Sequence, residues 1–263
     1  MQDIWAAMER GEVVVGHWIA SASPTMIEIV GHSGADVVAI DCEHGPISPY
    51  GSELASCIRA AYAADVAPIV RVVSHDGTQI SKAADLGAKG VIVPHVNTPE
   101  QMVDLLAHAR FPPLGNRGCY PTVRAARYGA SPWNVFAQES ASSFAVVPLL
   151  EEPAAFERLD ELLDVDGLRA VAIGPFDLAA RLGGVGDPSA EARVQEYLAQ
   201  LLGACGSRGL SVIDGAWDLE TVRRKVQAGC RGILYSADVM LLEAALREQM
   251  APVRSFLAAE GVR

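Results

Sequence analysis

Two hydrophobic rhythms alternate along the chain. Short apolar runs recur at Val13–Trp18, Val37–Asp41, Pro68–Val72, Gly90–Val93, Phe144–Leu150, Ala170–Ile173, Leu210–Ile213 and Gly232–Tyr235. They lack the polar alternation of a strand with one wet face, so each reads as a strand covered on both faces. Between them, apolar positions return at helical spacing over Ser52–Ala64, Thr78–Leu86, Pro99–Arg110, Ala154–Leu163, Glu191–Arg208, Asp218–Ala228 and Val239–Glu248. Asp76 reads as the N-cap of one such helix and Gly87 as its stop.

Eight strands alternating with helices over 263 residues match a single-domain (β/α)8 TIM barrel spanning 1–263. The competing arrangement is a doubly wound open sheet. No GxGxxG follows the first strand, which weakens the dinucleotide-binding form of that sheet. The long irregular stretch Phe111–Ala141 reads as a functional loop or lid.

Composition narrows the partners. A formal net charge of −11 disfavours nucleic acid and anionic lipid surfaces. The five cysteines, Cys42, Cys57, Cys119, Cys205 and Cys230, form no CxxC pair and read as reduced thiols. No apolar segment reaches membrane-spanning length, and Met1-Gln2-Asp3-Ile4-Trp5 lacks the basic and apolar regions of a leader. A cytoplasmic protein without membrane or nucleic-acid partners is expected.

In a barrel, all strand C-termini open on one rim, where catalytic groups sit. Strand 2 ends at Asp41, followed by Cys42, Glu43 and His44. Strand 3 carries Arg71, strand 4 runs into His95, strand 5 ends in Glu151 and Glu152, and strand 6 leads through Gly174 to Asp177. Each has a plain structural reading. Arg71 could be half of an internal ion pair or the anchor of a ligand carboxylate. Glu151 could be an exposed strand-end acid, Asp177 a helix N-cap, and Cys42 a spacer. Together, two carboxylates on adjacent strands facing an arginine and a histidine call for a chemical explanation.

Two acids without nearby Cys or His ligands suit a hard divalent cation with oxygen ligands, Mg²⁺, Mn²⁺ or Co²⁺. Such an ion polarises the keto oxygen of a 2-oxo acid and stabilises its enolate, while Arg71 holds the carboxylate and His44 moves protons. The three lysines, Lys82, Lys89 and Lys225, all fall away from strand C-termini, which argues against Schiff-base chemistry.

The segments "DCEHGP", "RVVSHDGTQISKAADLGAKGVIVPHVNTPEQ", "GNRGCYPTVRAARYG" and "LLEEPAAFERLDELLDVDGLRAVAIGPFDLAARLG" resemble the HpcH/HpaI aldolase family, over nearly the whole chain. The resemblance implies a class II aldolase that cleaves a 4-hydroxy-2-oxo acid to pyruvate or hydroxypyruvate and an aldehyde. It implies Glu151 and Asp177 as metal ligands, His44 as the catalytic histidine, and Arg71 as the residue binding the oxo acid. Asp85 would be an acid paired with the histidine, Gly174 and Phe176 would approach the substrate, and Asp41 and Glu43 would support the site. A homo-hexamer, a trimer of dimers, is implied too, with the helix around "VMLLEAALREQM" at an interface. Leu149 departs from the Gln common two positions before the metal Glu, and Cys119-Tyr120 departs from the usual Val-Gly. Arg117, Arg124 and Arg127 are candidates for substrate or subunit contacts. Rival readings are a citrate-lyase-β or malyl-CoA-lyase type enzyme, oxaloacetate decarboxylation at the same site, and a non-catalytic binding barrel.

Overall fold

The computed structural model describes residues 1–261. Eight parallel strands close into a barrel in chain order: β1 (Val14–Ile19), β2 (Val37–Asp41), β3 (Ala67–Arg71), β4 (Gly90–Val93), β5 (Ala145–Leu150), β6 (Ala170–Ile173), β7 (Ser211–Ala216) and β8 (Gly232–Ala237), with β8 pairing to β1. The open-sheet alternative is thereby excluded.

The strands lack polar alternation because both of their faces are dry. Val37, Ala39, Ala67, Ile69, Ile92, Val147, Ala172 and Leu234 belong to a core inside the barrel. Their neighbours Val38, Ile40, Val70, Val91, Val93, Val146 and Ile233 belong to the layer packed beneath the helices. At about 25 cal/mol per Å² of apolar surface removed from water, this double burial is the dominant favourable contribution to the fold.

Among the described residues twelve α-helices surround the strands. α1 (Ile4–Glu9) precedes β1, and α2 (Pro24–His32), α3 (Ser52–Ala63), α4 (Gly77–Leu86) and α5 (Pro99–Ala109) follow β1 to β4. α6 (Trp133–Ser143) precedes β5, and α7 (Pro153–Glu157) and α8 (Leu159–Leu163) follow it. α9 (Pro175–Leu182) and α10 (Pro188–Gly206) follow β6, α11 (Leu219–Ala228) follows β7, and α12 (Asp238–Ala259) follows β8.

α1 closes the bottom of the barrel. Trp5 is buried with Ile4 and Met8 in the interior core, and its indole Nε1 donates to Lys89 O at 2.7 Å. Gly90 is required there, since a Cβ would lie 2.7 Å from the Trp5 ring and 2.6 Å from Ala145 O.

Several elements depart from the sequence expectation. The helix expected over Ala154–Leu163 is broken at Arg158 (φ −120°, ψ 29°), whose guanidinium turns to bridge Glu100 and Glu161. The irregular stretch 111–141 holds a 3₁₀ segment, Arg124–Gly129, and the start of α6. α12 runs well beyond Glu248. Among the described residues no helix is long and apolar enough to cross a membrane.

Candidate active site

The C-terminal rim encloses a cavity of about 310 Å³. Asp41, His44, Arg71, Glu151, Gly174, Phe176 and Asp177 all line it, with Trp18, Leu149 and Trp217. The barrel thus brings together most of the groups expected from the sequence.

Asp41 and Arg71 are register partners across β2 and β3, so their side chains leave the sheet on the same face. Arg71 donates through Nε to Asp41 Oδ1 at 2.9 Å and through Nη2 to Oδ2 at 2.7 Å. Its Nη1 lies 3.2 Å from Glu43 Oε2, and the guanidinium stacks 4.6 Å from the Trp18 ring. Burial alone would raise the Asp41 carboxyl, but the two bonds and the charge of Arg71 outweigh it and hold it below its usual range. Asp41 also caps the following turn by accepting from the amides of Glu43 and His44. Of the five guanidinium N–H groups, these contacts engage three and leave two without a protein partner among them, on a residue that lines the cavity. Arg71 is thus half of an internal ion pair, and it lines the rim cavity as well.

Glu151 is only 2% exposed at the end of β5. Burial pushes its carboxyl up to about 7, aided by the negative charges of Asp177 and Glu43 and opposed by His95. His95 donates its backbone N–H to Glu151 Oε1 at 2.8 Å. Its ring Nδ1 lies 3.1 Å from Glu151 Oε1 and 3.1 Å from Glu152 Oε1. This geometry needs a left-handed backbone at His95, φ 56°, unusual for a non-glycine residue. Gly174 permits the end of β6 to close on Glu151, since a Cβ there would lie 2.6 Å from Glu151 Cβ. Asp177 is not the N-cap of α9; Gly174 takes that place, and Asp177 lies in the first turn, where the helix dipole favours a negative charge.

The rim thus gathers Asp41, Glu43, Glu151 and Asp177 around one permanently cationic side chain, Arg71. Burial, with the negative charges of Asp177 and Glu43, holds the Glu151 carboxyl above its usual range. A hard divalent cation fits this donor set, because its charge balances the acids and its preferred ligands are oxygens. Among the described residues no three His, Cys, Asp or Glu side chains converge as a complete cage, so water and substrate oxygens would complete the coordination.

Other residues stay away from the rim. Asp85 sits in the last turn of α4, at the opposite end of the barrel, paired with buried Arg117 at 2.7 Å. The acid beside the His44 imidazole is Glu43, 3.9 Å from Nε2. Arg117 also donates to Ser140 Oγ and lies over the Phe111 ring, and Arg124 donates to Leu86 O, so both fasten the 111–141 segment to the barrel. No lysine lines the cavity. Lys225 is buried against Asp214 and Gly215 O. Burial and the adjacent Asp41 charge push the Cys42 thiol up to about 12, which leaves it a spacer at neutral pH. His95 was visible in sequence only as a strand-end histidine; its hold on Glu151 depends on a backbone turn that no glycine marks.

A family model described as HpcH/HpaI aldolase/citrate lyase matches residues 15–245. The 2-keto-3-deoxy-L-rhamnonate aldolase of Klebsiella pneumoniae subsp. pneumoniae is 32% identical over 262 residues, covering 94% of this chain and 91% of the relative. The 4-hydroxy-2-oxovalerate aldolase of Novosphingobium aromaticivorans is 32% identical over 260 residues, covering 97% and 96%. The crystal structure of an HpcH/HpaI aldolase/citrate lyase family protein from Burkholderia cenocepacia superposes with a TM-score of 0.88 at 30% identity, covering 97% of this chain and 100% of that one.

Proposed function

The chain belongs to the HpcH/HpaI aldolase/citrate lyase family, and from that premise we propose that it is a carbon–carbon lyase, a divalent-metal-dependent aldolase. Its substrate is a 4-hydroxy-2-oxo acid, cleaved reversibly to pyruvate or hydroxypyruvate and an aldehyde. The observation that carries this reading is the buried, charge-deficient Glu151 beside Asp177, in the same cavity as an Arg71 with two donors to spare.

In the cleavage direction the C3–C4 bond breaks, its electron pair stays on C3, the 4-hydroxyl loses its proton, and the C4 oxygen becomes the aldehyde carbonyl. Arg71 orients the oxo acid by directing its two free N–H groups at the carboxylate, and Asp41 keeps the fork from rotating. His44, exposed at the cavity mouth, serves as the group that takes the hydroxyl proton and returns one to C3. Glu151 and Asp177 would hold the divalent ion, which supplies Lewis-acid polarisation of the keto oxygen when bound. Gly174 lets the end of β6 pack directly against Glu151, which fixes that carboxylate at the rim.

We infer a homo-oligomer as well, with the trimer-of-dimers hexamer as its form. Of the 22 residues of α12, only Asp238 is buried, while Met240, Leu242, Leu246, Met250, Val253 and Phe256 are exposed. A face this apolar suits a second copy of the chain.

The test is activity against aldol substrates with and without chelator, for wild type and Asp177→Asn. Chelation should abolish turnover and Mg²⁺, Mn²⁺ or Co²⁺ should restore it in wild type only. Chelator-resistant cleavage, or full restoration in the variant, would remove the metal reading.

A further inference from the structure

The rim cavity is divided by chemistry around the barrel. Its charged groups lie on the arc from β2 to the start of α9: Asp41, His44, Arg71, Glu151 and Asp177. The remaining arc, from β7 through β8 to β1, offers Gly215, Trp217, Ala237, Trp18 and Ala20, with no charged side chain. If the charged arc takes the oxo-acid half of the substrate, the apolar arc is left for the aldehyde half.

A second hollow of about 500 Å³ lies between α9, α10 and α11, and shares Pro175, Phe176 and Trp217 with the rim cavity. Phe176 and Trp217 pack together with ring centroids 5.6 Å apart, yet remain 51% and 39% exposed. Two large aromatic side chains left in water at the junction of two cavities are costly unless something covers them. The buried lining of the hollow is Ala179, Val194 and Lys225, whose ammonium is turned away to Asp214 and Gly215 O, while Glu191, Gln195 and Arg224 are exposed at the edge.

We propose that this hollow is a distal acceptor subsite. The substrate class is a 4-hydroxy-2-oxo acid whose C4 substituent is an extended apolar or aromatic chain, which crosses the Phe176–Trp217 pair and ends over Ala179 and Val194. The proposal rests on the aldolase reading, and it adds which aldehydes that aldolase selects.

The experiment is aldol addition of pyruvate to acetaldehyde and to 3-phenylpropanal, with exchange of the pyruvate C3 protons followed separately by NMR. Wild type should favour 3-phenylpropanal by at least tenfold in kcat/KM. Ala192→Trp, an exposed position on α10 that lines only the distal hollow, should lower that ratio at least tenfold, about 1.4 kcal/mol. Val185→Trp, in the loop before α10, is an independent way to fill the same space. Turnover of both aldehydes with an unchanged ratio in both variants would overturn the subsite and leave the aldolase intact. Absence of C3 exchange and of any aldol product would overturn the aldolase reading and the subsite with it.

Discussion

Replacing Glu151 with Gln should stabilise the metal-free protein at alkaline pH while removing its metal response. The carboxyl is raised from 4.5 to about 7, chiefly by burial. Its folded pKa lies above its unfolded value, so between the two the folded state binds more protons. The stability it contributes is fully present below about 4.5 and is lost as pH rises through about 7. A shift of that size corresponds to about 3 kcal/mol, at roughly 1.36 kcal/mol per pKa unit. Gln keeps an oxygen that can accept from the His95 amide but has no charge to bury. In chelator, the stability of the variant relative to wild type should therefore rise by about 3 kcal/mol between pH 4.5 and 8. Urea unfolding of both proteins at half-unit pH steps measures it, with charges that do not interact with Glu151 cancelling in the difference. Added Mn²⁺ at about 100 Kd should then stabilise wild type by about 2.7 kcal/mol and the variant far less. Parallel pH curves, agreeing within about 0.5 kcal/mol at every step, would refute the claim that this carboxylate is buried without a countercharge.

Three further outcomes test other parts of the molecule. Arg71→Lys should raise KM for the oxo acid by about 10- to 100-fold, because a point charge cannot grip Asp41 bidentately and present two donors as well; steady-state kinetics at saturating aldehyde reads this, and wild-type KM would sink the anchoring role. Trp5→Phe should lower unfolding stability by about 0.5–1.5 kcal/mol, since it removes the indole donor to Lys89 O, which keeps its bond from the Ala145 amide; denaturant midpoints check it, with activity retained once the protein is folded. Leu242→Glu with Leu246→Glu should shift the sedimentation coefficient from oligomer toward monomer, and an unaltered assembly would exclude α12 as the interface.

What the sequence made legible follows from where water is excluded. The eight strands were readable because burial on both faces leaves no polar position to blur the pattern, and the barrel rule then projected Asp41, Arg71, Glu151 and Asp177 onto one rim. Strand ends shifted by a residue or more at β1, β3, β5, β7 and β8, where apolar composition alone does not mark the last ladder bond. α1 escaped notice because its role is tertiary: Trp5 acts through a carbonyl 84 positions away. The hold of His95 on Glu151 was hidden for a related reason. It depends on φ 56° at a residue that sequence rules assign to ordinary backbone.

Asp85 exposes a different boundary. Its place in the family pattern suggests proximity to the histidine, yet one chain gives it Arg117, contributed by the 111–141 segment. An acid at the C-terminal end of α4 lies on the far side of its own barrel from His44, because each helix runs antiparallel to the strand it follows. A direct pairing of Asp85 with His44 would therefore need the His44 of another copy, so that role would depend on the oligomer proposed above. Asp85→Asn should then affect turnover only as far as it alters that assembly or its contacts, and measuring kcat beside the sedimentation coefficient separates the two. A loss of kcat in a variant that sediments as wild type would place Asp85 at the chemistry across a subunit boundary; unchanged kcat and unchanged assembly would reduce it to a fastening for Arg117.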